Sequence, residues 1–127
     1  MKKAASPHIL LIDDDPLFGG VLHRRAEAKG LRLEFHESLV ETLYESYLES
    51  YDAAIIDCCM PGLDGFEIAK YLSTFFEHVP IVLVSQADGP FQRYLEDQGG
   101  AVAFVSKRQG AEAILTAAER LARATAV

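Results

Sequence analysis

Cysteine is scarce: two in 127 residues. That is too few for a disulfide scaffold. The two are adjacent, Cys58 and Cys59, and neighbours on a strand point to opposite faces, which disfavours a bridge between them. A reducing, cytoplasmic setting fits this usage. Positive charge is also short, with 12 Lys and Arg against 19 Asp and Glu and a net charge of −7. Such a chain repels a phosphate backbone, which argues against direct nucleic-acid binding. Long hydrophobic runs are absent as well. Lys2 and Lys3 precede Ile9-Leu10-Leu11-Ile12, but Asp13-Asp14-Asp15 stops the run at once. A signal-peptide core needs roughly 7–15 apolar residues and a membrane helix about 20, so neither is expected.

What is present is core material. Half of the residues are hydrophobic, far too many for a disordered chain. The length suits one domain, taken as 1–127 with a folded core over about 8–124, and no linker, repeat or low-complexity segment divides it. Short buried-strand runs alternate with helical periods. Strands are predicted over 8–12, 31–36, 53–56, 81–84 and 102–105, and helices over 16–29, 38–51, 64–76, 90–98 and 109–123. Asp15-Pro16 reads as a helix start and Gly30 as its stop, while Gly19 and Gly20 are poor helix formers inside it. The second strand alternates polar and apolar residues as an edge strand does. This alternation of strand and helix is the mark of an α/β fold with a parallel sheet covered on both faces.

In such a sheet, ligands gather at the carboxyl ends of the strands. Asp13, Asp14 and Asp15 follow the first strand, Asp57 the third, Ser85 the fourth, and Lys107 the fifth. Each alone has an ordinary reading as a cap, turn or surface residue. Together they place oxygen groups and an ammonium at one edge. Crowded carboxylates raise one another's pKa unless a cation sits among them. Hard oxygen ligands with room for water suit Mg²⁺, with Mn²⁺ as an alternative. A carboxylate beside a divalent ion and an ammonium can act as a nucleophile toward phosphorus.

The segments 9–16 (ILLIDDDP), 55–65 (IIDCCMPGLDG), 81–85 (IVLVS) and 104–107 (FVSK) resemble, in this order and spacing, the signatures of a response-regulator receiver domain. The resemblance covers nearly the whole chain. It implies a flavodoxin-like, doubly wound, five-stranded parallel sheet of order 2-1-3-4-5 with five helices. It implies Asp57 as phosphoacceptor. It implies Asp13, Asp14, Asp57 and the backbone carbonyl of Cys59 as the Mg²⁺ site, with Ser85, Lys107 and Phe104 as phosphoryl-binding and switch residues. The implied donor is a phosphohistidine on a histidine kinase or a histidine phosphotransfer protein. The implied output is a shift of the face built from the fourth helix, fifth strand and fifth helix, read by a downstream protein. The chain is then a switch rather than an enzyme, with self-catalysed phosphotransfer and slow autodephosphorylation only, acting as a monomer or a weak phosphorylation-dependent dimer.

Four positions depart from that pattern. Arg108 stands where the family usually has a proline joined by a cis peptide. A cis bond before a non-proline residue costs about 2.5–4 kcal/mol, so a trans bond and an altered loop are expected. Cys59 and Ala87 stand two residues after Asp57 and Ser85, and neither orients water well, so a long-lived phosphoryl group is expected. Phe104 has no hydroxyl, which leaves a steric switch at that residue but no hydrogen-bonded one. Two alternatives use the same residues. A haloacid-dehalogenase-type phosphatase would take Asp13 as nucleophile, but no Asp pair follows Lys107 and Asp57 would have no role. A receiver-like interaction module that is never phosphorylated would not need an intact Asp13, Asp14, Asp57 and Lys107. Glu37, Glu41, Glu45 and Glu49 form an acidic stripe, read as a solvated face. The four histidines have no metal-ligand spacing on one helix.

Overall fold

Apolar runs of four or five residues, each stopped by a polar residue, become five strands of one sheet. The computed structural model describes residues 6–38, 51–58, 79–86 and 102–125. Along the chain these form β1 (His8–Ile12), α1 (Pro16–Ala28), β2 (Arg32–His36), β3 (Ala53–Asp57), β4 (Ile81–Ser85), β5 (Val102–Ser106), a 3-10 turn (Lys107–Gln109) and α2 (Ala111–Thr125). The strand order is β2-β1-β3-β4-β5, and every pairing is parallel. This is the flavodoxin-like order expected from the sequence. Residues 39–50 of the helix predicted over 38–51, the helices predicted over 64–76 and 90–98, Glu41, Glu45 and Glu49 of the acidic stripe, Cys59 and Ala87 lie outside the described residues, while Tyr51, expected to end the first of these helices, is not helical.

β3 and β4 are buried along their whole length, as runs without polar alternation must be. On one face of the sheet, Leu11, Ile55, Val84 and Val105 pack with Leu22 of α1 and Ile114 of α2. β2 is an edge strand, and its polar–apolar alternation fits that place. Leu33 and Phe35 turn toward the core. Glu34 turns the other way, pairs with His36 Nε2 at 2.6 Å and accepts the Tyr51 hydroxyl. His36 and then Tyr51 hold the Glu34 carboxyl below its ordinary range. The cluster ties the sheet edge to the chain that enters β3.

α1 begins and ends where its residues dictate. Asp15 caps it by accepting the Leu17 N–H at 3.0 Å, and Pro16 follows at the first helical position. At the other end Gly30 takes φ +76°. There the Leu31 N–H reaches the Ala26 carbonyl at 2.9 Å and the Gly30 N–H reaches Glu27 at 3.0 Å, which is a Schellman stop. The two interior glycines differ. A Cβ on Gly19 would lie 2.5 Å from the Phe35 ring, whereas one on Gly20 would meet only Arg24 Nη1 at 3.6 Å. Gly19 therefore lets the sheet edge approach the helix backbone. Gly19→Ala is expected to cost about 1–3 kcal/mol through overpacking. Gly20→Ala is expected to gain up to about 1 kcal/mol. Urea unfolding of the two variants checks this opposition of sign.

One boundary needs correction. The last helix was expected from residue 109, but it starts at Ala111. Gly110 has φ +94°, which no helix accommodates, and residues 107–109 close a separate 3-10 turn. The Ser106 side chain caps that turn by accepting the Arg108 N–H at 3.1 Å. There is no cis peptide among the described residues, so the Lys107–Arg108 bond is trans as expected.

Candidate functional site

Five parallel strands put their carboxyl ends on one edge of the sheet, and the register decides what meets there. Ile12 lies beside Ile56, so Asp13 emerges next to Asp57. Asp57 lies beside Val84, so Ser85 emerges one step further on. Ser85 lies beside Ser106, and Lys107 follows. Strand alternation puts Asp57 on the face of Ile55 and Asp13 on the face of Leu11, the face covered by α1 and α2.

Asp13 is 0% exposed and Asp57 5%, while Asp14 is exposed. Each of the three offers a carboxylate oxygen, and these oxygens lie within 4.8 Å of one another. Lys107 Nζ lies 2.8 Å from Asp13 Oδ2 and 3.3 Å from Asp57 Oδ2. Asp13 Oδ1 accepts the Asp15 N–H at 2.9 Å. Asp13 Oδ2 has the ammonium as a charge partner but no aligned hydrogen-bond donor among the described residues. Ser85 is buried at the end of β4. Phe104 sits lower, in the middle of β5 beside Leu83, and alternates with Val105. It therefore belongs to the opposite face, as Ser85 does by alternation with Leu83. The structure thus brings Asp13, Asp14, Asp57 and Lys107 together and sets Ser85 on the same edge. Phe104 stands back from that edge, and the Cys59 carbonyl lies outside the described residues.

The electrostatics are those of a site short of positive charge. Burial pushes the Asp13 carboxyl up, more than the Lys107 ammonium and the Asp15 N–H pull it down. Burial alone would push Lys107 down, but the Asp13 and Asp57 carboxylates outweigh it and raise the ammonium instead. Among the described residues one ammonium contacts two buried carboxylates, and a third carboxylate, Asp14, lies beside them. Hard oxygens in negative excess fit a small divalent cation that keeps part of its water, as Mg²⁺ does.

One neighbour of Lys107 is not legible in the sequence. The Phe18 ring lies 4.4 Å from Lys107 Nζ. Its only signal is an aromatic residue in the first turn of a helix that follows an acidic triplet.

A family model described as the response regulator receiver domain matches residues 9–119. The chain is 29% identical over 120 residues to the response regulator MprA of Mycobacterium ulcerans, covering 94% of this chain and 52% of that protein. It thus spans about half the length of the curated relatives it matches. The receiver domain of the putative response regulator NarL from Mycobacterium tuberculosis superposes with a TM-score of 0.76 at 23% identity, covering 94% of this chain and 98% of that one. The receiver domain of sensor histidine kinase PA1611 from Pseudomonas aeruginosa, described with a magnesium ion coordinated in its active-site cleft, superposes with a TM-score of 0.75 at 20% identity, covering 94% and 99%.

Proposed function

Because the chain belongs to the response-regulator receiver domain family, we propose that it is a phosphoacceptor switch in which Asp57 takes a phosphoryl group from a phosphohistidine. The observation that carries this reading is one ammonium held between two buried carboxylates, with a third carboxylate beside them at the strand ends. An Asp57 oxygen attacks phosphorus, the nitrogen–phosphorus bond of the donor breaks, and the donor nitrogen keeps the electron pair. Lys107, already against Asp57 Oδ2, meets the incoming phosphoryl oxygen without reorganisation, which is where such sites gain rate. Asp13 and Asp14 would hold Mg²⁺, or Mn²⁺, together with Asp57 and the Cys59 carbonyl. When bound, the ion neutralises charge on the phosphoryl oxygens. The magnesium described for the PA1611 receiver domain supports that assignment.

The donor is a histidine kinase or a histidine phosphotransfer protein. Ser85 donates its hydroxyl to a phosphoryl oxygen, and the Phe104 ring follows sterically. The change reaches a downstream protein through β5, α2 and the helix predicted over 90–98. The family's members are signalling domains, and autophosphorylation and slow self-dephosphorylation are the only chemistry proposed. No direct nucleic-acid contact and no membrane contact are part of this reading, and among the described residues no helix is long and apolar enough to cross a membrane. The site is cytoplasmic in this account, and the protein a monomer or weak phosphorylation-dependent dimer. The test is labelling by phosphoramidate with Mg²⁺. One phosphoryl group per chain and none in Asp57→Asn are expected; multiple turnover, or equal labelling of the variant, would overturn the reading.

The phosphoryl group should also persist, since a thiol at Cys59 orients hydrolytic water poorly. Cys59→Asn is expected to shorten its lifetime severalfold in a phosphate-release assay. Rapid release from the unsubstituted protein, not hastened by the substitution, would contradict this.

A further inference from the structure

Lys107 has a neighbour outside the acidic cluster. Its ammonium lies 4.4 Å from the centroid of the Phe18 ring, in addition to the carboxylates at 2.8 and 3.3 Å. Only 10% of the lysine side chain is exposed. An ammonium carries three N–H groups. Among the described residues its neighbours include two carboxylate oxygens and one ring face. A ring face attracts a cation through its quadrupole, and more strongly where water is kept away. Unlike an oxygen acceptor, it does not fix the direction of an N–H.

The geometry points to Phe18 as a positioning residue that holds the Lys107 ammonium against Asp57 for phosphoryl transfer. This rests on the reading of Asp57 as phosphoacceptor. The reacting ammonium must stay at the strand ends beside Asp57 while a phosphoryl oxygen arrives. An oxygen acceptor in the place of Phe18 would compete for it. An aliphatic side chain would offer the ammonium no attraction on that side. The ring does neither. Its seat is built from two elements. Phe18 packs on the core, and its neighbour Gly19 lets Phe35 of β2 close on α1 where a Cβ would clash.

The test replaces Phe18 in the full chain with mono-, di- and trifluorinated phenylalanine, which weakens the ring quadrupole at nearly constant shape. Phe18→Leu and Phe18→Tyr complete the set. The probe is phosphoramidate with saturating Mg²⁺, and the readouts are the rate of Asp57 labelling, the Mg²⁺ Kd and the melting temperature. The rate is expected to fall stepwise with fluorination, reaching about tenfold in the trifluorinated protein and in Phe18→Leu. Phe18→Tyr should recover most of it, and the Kd and melting temperature of the fluorinated series should hold. A rate independent of fluorination overturns the inference. So does a loss confined to Phe18→Leu that follows its melting temperature, since that assigns the effect to packing. If the unsubstituted protein labels normally and the series is flat, only the inference fails. If the unsubstituted protein is not labelled on Asp57 at all, the functional reading fails and takes the inference with it.

Discussion

Lys107→Ala is expected to slow phosphoryl transfer to Asp57 by about 10²–10³-fold, the range for losing one preorganised charge partner of a transition state. The reason lies in the geometry. The ammonium contacts Asp57 at 3.3 Å before any phosphoryl group arrives, so its stabilisation of the developing charge needs no rearrangement. The same substitution should have the opposite effect on metal. Lys107 and a divalent ion share the carboxylates of Asp13 and Asp57, and removing one cation favours the other. Mg²⁺ affinity is expected to rise by roughly tenfold, a direction set by Coulomb repulsion at short range. Without metal, the variant leaves two buried carboxylates facing each other. Breaking a buried pair from one side typically costs roughly 3–5 kcal/mol, and Mg²⁺ should restore much of it. Labelling rate, Mg²⁺ titration and urea unfolding with and without the ion check the three signs. Equal rates in the two proteins would remove Lys107 from the mechanism.

Asp13→Asn should separate metal binding from folding. The Asp13 carboxyl is raised above its ordinary value of 3.8, chiefly by burial. Between that value and the raised one, the folded chain keeps a proton that the unfolded chain has released. The stability from this group is therefore greatest at low pH and declines as pH rises through the window. Lys107 has the same sign in a more alkaline window. Its raised ammonium contributes stability below its ordinary value of 10.5, and that is lost only as pH rises through the folded value. At neutral pH without metal, Asp13→Asn is expected to be at least as stable as the unsubstituted chain, because an amide buries without that penalty. It should also lack the decline with rising pH that the Asp13 carboxyl causes. With Mg²⁺ the order reverses. The unsubstituted protein gains about 2.7 kcal/mol when the ion stands at about a hundred times its Kd, and the variant gains little. Unfolding curves across pH, with Mg²⁺ and with chelator, give both numbers. A metal-free variant markedly less stable at pH 7 would mean that the Lys107 pair outweighs the burial of the charge.

The sheet was legible because its strands announce themselves. Ile9-Leu10-Leu11-Ile12 and Ile81-Val82-Leu83-Val84 have no polar alternation, and such runs sit in the middle of a parallel sheet. The start of α1 was legible in Asp15-Pro16, and its stop in Gly30. The start of α2 was not. Nothing in Gln109-Gly110-Ala111 tells a helix interior from a break, and the answer lies in the positive φ of Gly110. Gly19 was visible only as a weak helix former. Its purpose depends on Phe35, sixteen positions later and on another element. The strand-end carboxylates and Lys107 could be assigned to one edge because a parallel sheet forces that placement. Phe18 could not, since a ring three residues into a helix faces a site only if the helix packs at the right height. The burial of Asp13 was likewise invisible until the register was known.

The measurement that bears most directly on the account is the chemical location of the phosphoryl group. The protein is labelled with phosphoramidate and Mg²⁺, reduced with borohydride, digested and read by mass spectrometry. An acyl phosphate on Asp57 is converted to homoserine at that position alone, and the account predicts that product in stoichiometric yield, dependent on Mg²⁺ and lost on chelation. Homoserine at position 13, accompanied by catalytic turnover of the donor, would contradict it and favour the phosphatase chemistry. Reduction at neither position would leave a receiver fold that works without phosphorylation.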